Sequence, residues 1–318
     1  MGFAQATDMT VYIGVDLGGT KTEVAVLDAN GQFLFRHRRP TPSHDYQAIL
    51  QTIADLVKTA LADTGMAYPM ALGCGIPGCL DPSTRRVRGA NTLVLNGQLF
   101  QSDLEHLLQC SVAVQNDANC LAVSEATDGS GQGSQVVFAA ILGTGCGAGI
   151  AWQGQAWTGR HAIAGEWGHN PLPWSTVEEL QAPPCWCGQA GCLETWISAS
   201  GFANEHARRY GGNLSALAII QAMREGDNHA QASFALYISR LGRGLAQVIN
   251  LLDPDCIVLG GGMSNVDEIY FSVQAEILRH AFSKTVQTPV RKALHGDSSG
   301  VRGAAWLARA VNQPNAAQ

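Results

Sequence analysis

One pattern occurs twice in this chain and restricts its fold more than any other feature. Residues 11–26 read VYIGVDLGGTKTEVAV and residues 136–151 read VVFAAILGTGCGAGIA, so Val11 aligns with Val136, Leu17 with Leu142 and Gly18 with Gly143. Each copy is an apolar, β-rich run, a glycine-rich turn and a second apolar run. Two copies, each opening a β-rich half, predict a duplicated α/β fold with a cleft between the domains. Two unrelated hairpins that happen to look alike are the alternative.

The length supports two domains, since 318 residues is about twice a typical domain of roughly 150. Hydrophobic residues at 46% and charged residues at 14% exclude wholesale disorder. A net charge of −6 excludes nucleic acid or an anionic membrane as the main partner. It does not exclude a small phosphate ligand held by backbone amides and a metal ion. No apolar run reaches membrane-spanning length. The opening MGFAQATDMT lacks a charged, then apolar, leader, and Ala6 stands where a myristoylation site needs Ser or Thr. Six of the nine cysteines (Cys74, Cys79, Cys110, Cys120, Cys146, Cys256) stand singly in or beside apolar segments. That usage predicts a reducing, cytoplasmic setting.

Pattern and turn signals predict strands at 11–16, 22–27, 33–36, 71–76, 112–115 and 256–259. Helices are predicted at 45–62, 101–109, 118–126, 198–210, 229–252, 264–282 and 298–311, the last with Asp297 or Ser298 as N-cap. The expected domains are 1–122 with 298–318, and 123–297.

The turn Asp16-Leu17-Gly18-Gly19-Thr20-Lys21 exposes backbone N–H groups to an anion, with a hydroxyl and an ammonium beside them. Asp16, at a strand end, could hold Mg²⁺ through water. The spacing is neither a P-loop nor a dinucleotide fingerprint, because a strand follows the turn. A tight hairpin is the plain alternative. The second turn, Gly143-Thr144-Gly145-Cys146-Gly147-Ala148-Gly149, has four glycines in seven positions, more than a hairpin needs. Together the turns point to a nucleoside triphosphate. Asn116-Asp117 ends a strand and opens a helix. Asp117 reads either as an N-cap or as a general base accepting a proton from a hydroxyl that attacks a γ-phosphate.

Cys185, Cys187 and Cys192 form C-x-C-x₄-C, with His169 upstream. Three thiolates and one imidazole make a closed tetrahedral, structural zinc site. A redox pair is the weaker alternative, because C-x-x-C is absent. Metal there would tie the Glu166 segment to Glu194, giving a wall rich in acceptors that suits a polyhydroxy ligand. Ordinary surface charge is the other reading of both glutamates.

The motifs DLGGTKTEV, GIPG, NDAN, GTGCGAG, GEWGHNPLP, CWCGQAGCLET and LGGGMSN, spread over essentially the whole chain, resemble the ROK family (repressors, open reading frames and kinases). NDANCLAVSEA, GHNPLPW and DSSGVRGAAW look most like its bacterial fructokinases that also take mannose. The resemblance implies an actin-like, hexokinase-type (ribonuclease H-like) fold and an ATP- and Mg²⁺-dependent sugar kinase with structural Zn²⁺. It implies transfer to the C6 hydroxyl of a hexose, fructose foremost, with glucose, mannose or an N-acetylhexosamine as alternatives. It implies Asp117 as catalytic base, and Asn91, Asn116, Asp117, Glu166, His169 and Glu194 as sugar contacts. Asp16, Gly18, Gly19, Thr20, Lys21, Gly143, Thr144, Gly145, Gly261 and Gly262 fall on the ATP side, and His169, Cys185, Cys187 and Cys192 on zinc. A homodimer is also implied. The stretch from His169 to Cys185 is longer than the family's shortest pattern, so the loop 174–182 is expected to shape the sugar pocket. A sugar-responsive repressor is the non-enzymatic rival, disfavoured by the short segment before the first strand.

Overall fold

The computed structural model describes residues 10–66 and 71–312. The first nine residues, and with them most of the segment read for a leader, lie outside that description, as do 67–70 and 313–318. The elements run β1 (Val11–Leu17), β2 (Lys21–Asp28), β3 (Phe33–Pro40), α1 (Tyr46–Thr64), β4 (Ala71–Ile76), β5 (Cys79–Leu80), β6 (Val87–Arg88), α2 (Phe100–Leu108), β7 (Ser111–Asn116) and α3 (Asp117–Asp128). They continue with β8 (Val136–Leu142), β9 (Cys146–Trp152), β10 (Gln155–Ala156), α4 (Glu194–Ile197), α5 (Ala199–Tyr210), α6 (Ala216–Arg224), α7 (Asn228–Leu252), β11 (Cys256–Gly260), α8 (Glu268–His280), β12 (Val290–Lys292) and α9 (Ser299–Asn312). Among the described residues no helix is long and apolar enough to cross a membrane.

Two compact units divide the chain: Met1–Asp128 with Gly154–Ala164 and Asp297–Gln318, and Gly129–Gln153 with Gly165–Gly296. Residues 123–128 thus group with the first unit, because α3 runs unbroken to Asp128. Residues 154–164 group there too.

In the first unit the sheet order is β3-β2-β1-β4-β7. β1 pairs antiparallel with β2 and parallel with β4. One face packs on α1 and α2 through Ile13, Val15, Ile53, Leu56, Phe100 and Leu104. On the other, Tyr12 and Leu27 meet Cys120 and Val123 of α3 and Ala304, Ala305 and Trp306 of α9. That second face is built for backbone proximity. A Cβ on Gly73 would run into the carbonyl oxygen of Ala304, and one on Gly303 into that of Cys120. β3 extends four residues beyond expectation, to Pro40, carrying Arg36, His37, Arg38 and Arg39 along a sheet edge. Arg36 and Arg38 both bond the buried Glu23 of β2, so the basic run is anchored rather than loose.

The second unit repeats the plan. β8 pairs antiparallel with β9 and parallel with β11, and β11 pairs parallel with β12. The two hairpins hold the same place in their sheets, the second with a turn one residue shorter: Leu17 pairs with Thr22 in one and Leu142 with Cys146 in the other. The duplicated α/β architecture is therefore visible in the ladders themselves. α6 adds a helix beyond those expected from pattern, and Ser215 caps it by accepting from the Ala218 N–H at 3.2 Å.

The loop 174–182 is bound to the helices beneath it. Glu179 accepts from Arg240 Nε at 2.8 Å and from Arg243 at 2.8 Å through both oxygens, and Arg240 also bonds Glu205 at 3.0 Å. All four side chains are buried. Burial pushes the Glu179 carboxyl up, but hydrogen bonds from Arg243 and Arg240 override it and hold the group down at about 2. The stability it contributes is present above its ordinary value of 4.5 and is lost as pH falls toward 2. Glu179→Ala leaves the buried Arg243 guanidinium with backbone carbonyls but no carboxylate, and Arg240 with Glu205 alone. The substitution is expected to cost about 3–5 kcal/mol in urea unfolding at pH 7, and the gap to wild type should narrow in acid.

Candidate functional site

In the first unit, β1 delivers Asp16 to the rim of the sheet. Its carboxylate is wedged between glycines: a Cβ on Gly300 would lie 2.6 Å from Oδ2, and one on Gly75 3.5 Å from Oδ1. The Asp16 carboxyl is pushed up to about 7, first by burial and then by the negative charges of Asp117 and Glu23. The next turn closes with the Gly18 N–H donating to the Lys21 carbonyl at 2.9 Å. Lys21 Nζ meets Asp297 Oδ2 at 3.2 Å, and Arg38 approaches the same oxygen at 3.5 Å. The Thr20 carbonyl accepts from the Thr41 N–H.

Asn91 belongs to this turn: its Oδ1 lies 3.9 Å from where a Cβ on Gly19 would stand. Thr92, which the sequence reading passed over, stands closer, with Oγ1 at 3.5 Å from that point. This hydroxyl is buried and has no hydrogen-bond partner, an arrangement that costs free energy until a ligand or water supplies one. Its only sequence signal is adjacency to Asn91.

Asn116 ends β7 and Asp117 opens α3. The structure corrects the capping alternative here: Asn116 Oδ1 accepts from the Asn119 N–H at 2.8 Å, so Asn116 is the N-cap. The exposed Asp117 accepts from the Ala118 N–H at 2.8 Å and from Asn116 Nδ2 at 3.3 Å. The helix N-terminus favours the ionised carboxylate.

In the second unit, the turn after β8 is backed by α5, because the Ala199 N–H donates to the Gly143 carbonyl at 2.8 Å. Glu194 opens α4 and reaches this turn. Its Oε2 accepts from the Cys146 N–H at 2.8 Å, and a Cβ on Gly145 would stand 2.7 Å from the same oxygen. Gly261, at φ +81°, abuts Leu142 and Gly143 so closely that a Cβ would lie 2.6 Å from the Leu142 carbonyl. Gly262 follows in open space. The repeat turn, Glu194 and the Gly261–Gly262 bend thus form one cluster.

His169 ends a short 3₁₀ turn whose preceding residue, Glu166, is exposed. Its Nδ1 lies 3.6 Å from Cys185 Sγ, and Cys187 Sγ lies 3.6 Å from Cys192 Sγ. One ligand atom from each of His169, Cys185, Cys187 and Cys192 falls within 4.8 Å of all the others. That spacing and donor set fit a four-coordinate ion of zinc's size and softness. Beside them is a cavity of about 290 Å³, lined in part by Thr144, Pro184, Trp186, Glu194, Ser198 and Asn204.

The ROK family model matches residues 12–311. An N-acetyl-D-glucosamine kinase of Yersinia pseudotuberculosis is 39% identical over 301 residues, covering 93% of this chain and 98% of that protein. Among solved structures, a ROK hexokinase from Thermus thermophilus superposes with a TM-score of 0.85 at 26% identity, over 95% of this chain and 99% of that one. A ROK family glucokinase from Streptomyces griseus, in complex with glucose and AMPPNP, does so at 0.75 and 29% identity, over 94% and 99%. The expected hexokinase-type, actin-like architecture is therefore present.

Desolvation and the charges of Asp117 and Glu23 push the Asp16 carboxyl up from its ordinary 3.8 to about 7. The folded state holds that proton where the unfolded chain has released it, so stability declines as pH rises from about 4 to about 7. Without magnesium, Asp16→Asn is expected to raise Tm by several degrees at pH 8 and by less at pH 5, measured by calorimetry.

Proposed function

Since this chain belongs to the ROK family of sugar kinases, we propose that it transfers the γ-phosphoryl group of ATP to the C6 hydroxyl of an N-acetylated hexosamine, with N-acetyl-D-glucosamine the foremost substrate. The near full-length likeness to an N-acetyl-D-glucosamine kinase carries this choice. It is preferred to fructose, which rested on three short motifs.

Each residue then has a task. Asn91, Asn116, Glu166, His169 and Glu194 supply acceptors and donors to the sugar hydroxyls. Asp117 accepts the proton of the C6 hydroxyl as its oxygen bonds to the γ-phosphorus. The bond from that phosphorus to the β,γ-bridging oxygen breaks, and ADP departs. The glycine turns at 18–19 and 143–145, with Thr20, Lys21 and Thr144, hold the phosphates through N–H, hydroxyl and ammonium groups. Gly261 and Gly262 serve the nucleoside side. Positioning does most of the work, because phosphoryl transfer needs little covalent help.

Two ions fit the donors present. Asp16, with Asp117 close enough to raise its carboxyl, offers the hard oxygens that Mg²⁺ prefers; Mg²⁺ would neutralise phosphate charge. His169, Cys185, Cys187 and Cys192 offer a closed N/S set for structural Zn²⁺, which would cross-link the His169 segment to the cysteine loop.

The decisive measurement is coupled ADP release over N-acetyl-D-glucosamine, N-acetyl-D-mannosamine, glucose, mannose and fructose. kcat/KM for N-acetyl-D-glucosamine is expected to exceed that for fructose at least a hundredfold; the reverse order would reject the assignment. Asp117→Asn is expected to lose about 10²–10⁴ in kcat while binding sugar in calorimetry. Metal analysis of the purified protein should find one zinc per chain, lost in Cys187→Ser.

A further inference from the structure

Trp186 lies between two of the clustered cysteines, and it is 77% exposed. Burial therefore does not account for so large a side chain there. Its polar edge is nevertheless committed: the indole Nε1–H donates to Glu194 Oε1 at 2.7 Å. Its ring meets the His169 imidazole edge to face, with centroids 5.0 Å apart and planes at 87°. One side chain thus touches two of the residues assigned to the sugar.

We infer that Trp186 is a positioning residue, holding the Glu194 carboxylate and the His169 ring in the orientation that receives the sugar. The inference rests on the sugar-kinase reading above. The geometry is that of a clamp. Glu194 Oε2 is fixed by the Cys146 N–H at 2.8 Å and Oε1 by the indole, so the carboxylate plane cannot rotate. Each oxygen keeps a second lone pair for a sugar hydroxyl. Without the indole, Oε1 faces only the Cys185 Sγ at 3.9 Å, a poor partner. The carboxylate would then swing, and the sugar would have to order it on binding. Trp186 is itself held at both ends, since its neighbours Cys185 and Cys187 belong to the cysteine–histidine cluster.

Trp186→Phe removes the N–H and keeps an aromatic ring beside His169. The expected result is a sugar KM raised about tenfold, with the KM for ATP within twofold of wild type and zinc content and Tm unchanged. In a Glu194→Ala background the same substitution should change sugar kcat/KM less than twofold, because the group it acts through is gone. A sugar KM within twofold of wild type in Trp186→Phe would overturn the inference. So would full additivity in the double variant, or loss of zinc in Trp186→Phe, which would place the residue's role in the metal loop instead. A wild-type protein that phosphorylates no sugar at all defeats the kinase reading itself, and is distinguished by needing no variant.

Discussion

The second unit depends on one carboxylate. Glu194 sits where three segments converge: the glycine turn through the Cys146 N–H, the cysteine loop through the Trp186 N–H, and α4, which it opens. Its two oxygens join the glycine turn to the cysteine loop, one hydrogen bond to each. Charge-assisted hydrogen bonds of this kind are short and strong, and here they also exclude alternatives. A Cβ on Gly145 would stand 2.7 Å from Glu194 Oε2, so a side chain there would push the carboxylate off its present place. Of the glycines in this turn, Gly145 is thus the one that the carboxylate favours by packing, while a Cβ on Gly147 would meet open space.

A second set of charges governs the loop 174–182. Glu179, Glu205, Arg240 and Arg243 neutralise one another in the interior, and the Arg240 guanidinium also lies over the Trp196 ring at 4.3 Å. Arg243 further donates to the carbonyls of Pro173 and Trp174, the very start of the loop. Such a network gains little net stability over apolar packing, but it specifies one arrangement. A loop of this length with exposed Val177 and Leu180 would otherwise have few contacts to define it.

How much of this was legible beforehand follows from the range of each interaction. The hairpin repeat, the caps at Asp45 and Ser198, and the cysteine spacing are local patterns, and the sequence reading found the elements they mark. The extension of β3 was not legible, because its basic residues look like a solvated stretch until Glu23 is seen to gather Arg36 and Arg38 from the neighbouring strand. The cap at Asn116 was misread by one residue because Asn and Asp are equally good caps and stand side by side. Thr92 and Trp186 carry no pattern at all; their significance comes from a buried hydroxyl beside Gly19 and an indole beside Glu194, and only folding creates those pairs. Sugar preference was least legible, since fructose rested on three short motifs, whereas the likeness to an N-acetyl-D-glucosamine kinase runs over 301 residues.

The packing of α9 has a consequence for how the protein is made. Gly73 of β4 and Gly303 of α9 let that helix lie directly on a sheet whose strands all precede residue 117. A ribosome therefore produces every strand of this sheet long before the helix that covers one of its faces. During that interval Tyr12 and Leu27 lack their Trp306 and Ala305 neighbours, and the entire second unit is synthesised meanwhile. The half begun first is finished last, so one face of its sheet stays uncovered in the nascent chain until α9 has been made, and transiently uncovered apolar surface of this kind favours aggregation.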